Sequence, residues 1–205
     1  MKKVKLTRIG TLFDKYEVKF ALNKHCVIIV GENGSYKTKT LELVRDHLIK
    51  KNKNVVYFEA DRILEISFEE IRSALELLES HAILNKLSGE PYDLELFKRW
   101  GIDLSRLELS LRSESGNYIN SGFIQLANFI TRIINAGPKA IVMIDTPETG
   151  LHLTIKRTLL RDLLSLSNIE QLIVVTHSPE IALGLYEQNV WEIGEFVKRI
   201  EENVG

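Results

Sequence analysis

The residues of this chain most able to do chemistry fall in three short segments: Val30-Gly-Glu-Asn-Gly-Ser-Tyr-Lys-Thr38, Asp145, and His177. Gly31, Lys37 and Thr38 fit a phosphate-binding pattern of Gly, four free positions, then Gly-Lys-Ser/Thr, except that Tyr36 stands at the second glycine position. Binding a phosphate takes close backbone approach, N–H groups aimed at the anion, and positive charge. Gly31 and Gly34 allow the approach, a helix starting at Lys37 brings the amides, and the Lys37 ammonium brings the charge. Glu32, Asn33, Ser35 and Tyr36 complete the cradle. Thr38 offers a hydroxyl to Mg²⁺. Asp145 offers a carboxylate at the end of a neighbouring strand, where a magnesium–nucleotide site needs one. The competing readings are plain: a Gly/Asn turn with an exposed lysine, an aspartate capping a helix, and a structural histidine.

These residues work only if strands and helices deliver them. Cys26–Val30 is an unbroken apolar run, as expected of a central parallel strand, and it leads straight into the loop. Leu41, Val44, Leu48 and Ile49 recur at helical spacing after it. Val4–Ile9 and Tyr16–Leu22 alternate apolar and polar residues and predict two strands, joined by Gly10–Lys15. Asn54–Phe58, Ala140–Ile144 and Gln171–Thr176 predict further strands, and Val190–Ile193 a last one. Helices are expected over Phe123–Ile134, with Ser121 or Gly122 near its start, over Leu153–Leu166, and after Ser178-Pro179, an N-cap followed by a first-turn proline. Strands alternating with helices indicate an α/β protein with a mostly parallel central sheet and a small N-terminal antiparallel part. Residues 62–118 read as a short, mainly helical insert within one domain spanning 1–205.

Composition narrows the classes. The chain has 205 residues, with 44% apolar and 27% charged residues, an ordinary globular mix. A formal net charge of −1 gives no basic field to draw in nucleic acid or a membrane surface, so such contacts would need a local patch. Lys2, Lys3 and Lys5, and Lys50, Lys51 and Lys53, are the two clusters available, and both read more simply as solvated surface. The single cysteine, Cys26, excludes an intrachain disulfide and is expected to be buried. The N-terminus lacks the features of a signal peptide and no run approaches a membrane span, so a cytoplasmic location is expected.

Taken in order, the motifs resemble the ABC-type P-loop ATPases, in the branch shared by SMC, RecF and OLD-type proteins. Ile144-Asp-Thr-Pro-Glu-Thr-Gly-Leu-His152 resembles the Walker B segment of that branch. Val174–Ala182, "VVTHSPEIA", resembles its histidine switch, and Ile119–Leu126, "INSGFIQL", its signature. The resemblance implies an ATP site in which Lys37 holds the β- and γ-phosphates, Thr38 and Asp145 hold Mg²⁺, and His177 senses the γ-phosphate. It also implies an ATP-dependent homodimer in which Ser121 and Gly122 of one subunit cover the nucleotide of the other, acting alone or through a partner protein. Nucleic acid enters through the resemblance alone, as does a role in DNA repair or defence.

The sequence departs from the family where hydrolysis is concerned. Thr146 replaces the glutamate that orients or deprotonates the attacking water, so slow turnover is expected. Glu148, two positions on, is the candidate replacement. Asn120 and Phe123 alter the signature, and Glu59-Ala-Asp61 stands where a glutamine loop is usual. If position 36 is left-handed, its tyrosine costs about 1–2 kcal/mol.

Overall fold

The computed structural model of the protein describes residues 4–59, 99–100, 121–149, 151–166, 168–185 and 187–200. Apart from Arg99 and Trp100, the insert expected at 62–118 lies outside the described residues, as do Ala60, Asp61 and Asn120.

Five strands form a fully parallel sheet in the order β4 (Val55–Phe58), β5 (Ala140–Asp145), β6 (Ile169–Val175), β3 (Cys26–Val30) and β7 (Val190–Glu192). Strand side chains alternate between faces, so each strand feeds two cores. Cys26 and Ile28 join Val142, Ile144, Leu172 and Val174 on one face. Val27 and Ile29 join Ile141, Met143, Ile173 and Val175 on the other. Burial on both sides explains why these strands read as continuous apolar runs. Cys26 lies in the first core, and burial pushes its thiol up to about 12.

Helix α1 (Lys37–Lys50) covers the second face through Leu41, Val44 and Leu48. Helices α2 (Ser121–Asn135) and α3 (Leu153–Leu164) cover the first, through Leu126, Phe129, Ile130 and Ile133 and through Leu159, Leu160 and Leu163. Asp162 of α3, itself buried, accepts hydrogen bonds from Arg99 Nη1 at 3.0 Å and Trp100 Nε1 at 2.8 Å, and Trp100 is part of that core. A short helix, α4 (Pro179–Ala182), follows β6. Its N-cap is Ser178, as expected, but the Ser178 hydroxyl donates to Glu180 at 2.7 Å and does not cap the backbone.

A second sheet of three antiparallel strands, β1 (Thr7–Leu12), β2 (Tyr16–Phe20) and β8 (Val197–Arg199), stands beside the first. Two sequence expectations need correction here. The first strand runs on through Gly10 to Leu12, and the connection shrinks to Phe13–Lys15, with a register shift between Arg8 and Gly10. Val190–Glu192 is not the last strand: a single turn, α5 (Ile193–Phe196), reverses the chain into β8, which pairs with β2. A reciprocal capping box between Glu192 and Glu195 fixes that turn.

Candidate functional site

The loop of residues 31–36 lies at the C-terminal end of β3, which runs between β6 and β7, and the C-terminal ends of the strands are where open α/β sheets bind ligands. Gly31 has φ 149°, and a Cβ there would stand 2.7 Å from Ile193 Cγ2. Only glycine fits beside the α5 turn. The loop ends at Tyr36, the N-cap of α1, with φ 66° and ψ 21°. Its side chain makes no capping bond, and the first turn of α1 carries no acidic residue. Thr40 N–H already reaches the Tyr36 carbonyl at 2.8 Å. The amides before it have no acceptor within the helix, which is the anion-binding arrangement of a helix start.

Lys37 is 5% exposed. Its ammonium folds back over the loop, donating to Glu32 O at 2.6 Å, Gly31 O at 3.0 Å and Ser35 Oγ at 3.3 Å. Burial pushes its pKa below the ordinary lysine value, opposed by the carboxylates of Asp145 and Glu192. An anion placed in the loop would favour the charged form further.

Tyr36 occupies the left-handed conformation, and the conditional expectation for it therefore applies. The ring does not turn into the loop. It leans on the β1–β2 turn, with ring centroids 5.3 Å from Tyr16 and 5.5 Å from Phe13. A left-handed tyrosine costs about 1–2 kcal/mol, and two aromatic pairs of about 0.5–1.5 kcal/mol each offset it. Tyr36→Ala keeps the backbone strain and loses the rings, so a loss of about 1–2 kcal/mol is expected. Tyr36→Gly loses the rings and the strain together and should be the more stable of the two variants by about 1 kcal/mol, after allowance for its looser unfolded chain. Chemical denaturation of both variants checks this, and equal stabilities would remove the strain argument.

Asp145 ends β5 beside the loop, 1% exposed, and its Oδ1 has no hydrogen-bond partner among the described residues. Burial raises its pKa, and Glu148 and Glu42 add to that, while the Thr38 hydroxyl and His177 work in the opposite direction. A buried carboxylate oxygen left without a donor, next to a threonine hydroxyl, suits a hard divalent cation that takes oxygen ligands. Thr38 and Asp145 therefore fit Mg²⁺. A raised folded-state pKa means that the charged aspartate destabilises the metal-free fold above that pKa, and the cost is relieved as pH falls through it. Asp145→Asn should raise the melting temperature of the metal-free protein at neutral pH, because it removes the charge that burial disfavours. It should also abolish any further rise on adding Mg²⁺ with nucleotide. Thermal shift with and without the metal checks both signs.

Thr146 follows with φ 47°. That conformation is unusual for any non-glycine residue and more so for a β-branched one. Its N–H donates to Val175 O at 2.9 Å, locking the end of β5 to β6. Glu148 is bound on both carboxylate oxygens: Oε2 accepts from Thr176 Oγ1 at 2.8 Å, and Oε1 from the His177 N–H at 2.7 Å. Its carboxylate thus holds the backbone that carries His177 instead of standing free as a base. His177 itself is exposed. Ser121 and Gly122 begin α2. From the same helix, buried Gln125 donates to Pro147 O at 3.0 Å, tying α2 to the turn after Asp145.

The structure thus brings the loop, Lys37, Thr38, Asp145, Glu148 and His177 to one end of the parallel sheet. The roles of Gln125 and of the Glu148 carboxylate depend on partners 22 to 29 positions away and leave no local signal in the sequence.

A parallel α/β sheet with a glycine loop between β3 and α1, and an aspartate ending β5 on the far side of β6, defines a domain of the P-loop ATPase kind. Residues 32–183 match the family described as "AAA domain, putative AbiEii toxin, Type IV TA system", and the chain belongs to that family. Among solved structures it is similar to a nucleotide-free ATP-binding cassette from an ABC transporter, at 20% identity and TM-score 0.54, over 96% of this chain and 91% of that one. That likeness shows the fold. A second cassette of an ABC transporter, in its ADP conformation, is 18% identical with TM-score 0.48, over 86% of this chain and 79% of that one. A comparison with curated proteins gives no match. No helix among the described residues is long and apolar enough to cross a membrane.

Proposed function

We propose that this domain binds ATP with Mg²⁺ in the 31–38 loop, hydrolyses it slowly, and uses the bound nucleotide as a dimerisation switch. The observation that carries the reading is the pairing of a buried lysine ammonium in the loop with an orphaned carboxylate oxygen on Asp145. Lys37 exchanges its bonds to Gly31 O and Glu32 O for phosphate oxygens. The free amides at the start of α1 take further phosphate oxygens, and Thr38 and Asp145 hold the metal. Magnesium supplies charge neutralisation on the phosphates when bound. His177 meets the terminal phosphate, and Glu148 sets its position. Ser121 and Gly122, at the start of α2, cover the nucleotide of a second copy.

A second reading, a non-hydrolysing module that acts through a partner protein, draws on two observations: Thr146 stands where the base is expected, and Glu148 is already committed on both oxygens. The two readings share the binding step and differ in turnover. The resemblance to SMC, RecF and OLD-type proteins supports a role in DNA repair or defence, and membership of a family described as a toxin of a toxin–antitoxin system favours defence. The dimer is tested by size-exclusion chromatography with Mg²⁺ and increasing ATP. A shift to twice the monomer mass is expected, and a monomer at every ATP concentration would remove the switch.

A further inference from the structure

Lys51 and Lys53, just past the end of α1, line a cavity away from the 31–38 loop. The cavity, of about 350 Å³, opens at the N-terminal edge of the parallel sheet. It is separated from the 31–38 loop by the five residues of β3, about 16 Å of strand. Lys24, His25, His47, Lys51 and Lys53 line it, against one carboxylate, Glu170. Lys53 approaches Glu170 at 3.7 Å, while Lys24 and Lys51 form no ion pair among the described residues. Helix C-termini attract lysines for their own sake. Here, however, the carbonyls of His47, Leu48 and Ile49 already accept from the amides of Lys51, Asn52 and Lys53, and Lys24 is not on the helix.

The walls are fixed. Buried Gln171 donates to Lys24 O at 2.6 Å and to Ala21 O at 3.3 Å, which holds the turn before β3. His25 Nδ1 lies 2.9 Å from Glu170 O, which orients the ring and leaves Nε2 without a partner among the described residues. Leu48 and Ile141 give the cavity an apolar lining beside this charge. The volume falls in the range of small-ligand pockets. Lysines act as point charges for phosphate, and imidazole N–H groups add directed donors.

We propose that this cavity binds a phosphate monoester carried on a small organic ring, such as a mononucleotide, independently of the 31–38 loop. The same terminal phosphate could be offered by a free small molecule or by the 5′ end of a strand, and the test separates these sources.

The probe is AMP, titrated into the full chain with ¹³C-labelled histidine rings and followed by NMR. Saturable shifts of His25 and His47 are expected, absent with adenosine, and weakened at least tenfold in Lys24→Ala/Lys51→Ala. That variant should keep the circular dichroism spectrum and melting temperature of the natural chain, which shows that it is folded. A 5′-phosphorylated oligonucleotide giving the same shifts more tightly than AMP would assign the monoester to a strand end. Shifts confined to His177, or none, would overturn the proposal. An oligonucleotide without a terminal phosphate that matches AMP would also overturn it, in favour of simple backbone attraction.

Discussion

Thr146→Glu should hydrolyse ATP about 10²–10⁴-fold faster than the natural chain, the usual contribution of a positioned general base. A threonine hydroxyl does not ionise near neutral pH and cannot accept the proton of an attacking water. Glu148, the candidate replacement, is not free to take that place. Glu148 holds Thr176 and the His177 amide, and turning it to water would break both bonds. Position 146 can take the change, because its side chain is only half-buried and its backbone bond to Val175 is made by the N–H. A left-handed backbone also suits an unbranched glutamate better than a β-branched threonine, so the melting temperature should hold or rise. Single-turnover phosphate release, with ATP affinity measured in parallel, checks the prediction. Normal binding without faster release would show that the missing base is not what limits the reaction.

Lys37→Ala should weaken ATP binding about 10²-fold while leaving the chain folded. Charge-assisted hydrogen bonds contribute about 1.5–3 kcal/mol each, and the upper end corresponds to that factor. Stability should change little, because the ammonium stabilises the metal-free fold only weakly: burial already presses its pKa down. The loop carbonyls it leaves, on Gly31 and Glu32, lie where water can reach them. Circular dichroism and a thermal melt on the variant separate lost binding from lost folding.

Some of this molecule was legible residue by residue. Cys26–Val30 matches its strand to the residue, because a strand buried on both faces must be apolar throughout. The order of loop, Asp145 and His177 placed all three at one sheet end, because parallel strands all point there. Val4–Ile9 was shifted against the observed Thr7–Leu12 because the register break near Gly10 interrupts a strict alternation. Val197–Arg199 went unread since three residues, two of them charged, carry no periodic signal. That strand exists because β2 offers an edge and the α5 turn aims the chain at it. The left-handed backbone at Thr146 is likewise a tertiary product, imposed where β5 is tied to β6. The Glu148 carboxylate had the residue type of a base, and only the fold shows it bonded on both sides to Thr176 and His177.

Isothermal titration of the natural chain with ATP, with Mg²⁺ and then with the metal chelated, tests the account at its centre. Saturable one-to-one binding is expected, tighter with Mg²⁺ and weakened about 10²-fold in Lys37→Ala. Heat of binding that is absent, or that persists unchanged in Lys37→Ala, would contradict the assignment of residues 31–38 and Asp145 as the nucleotide site.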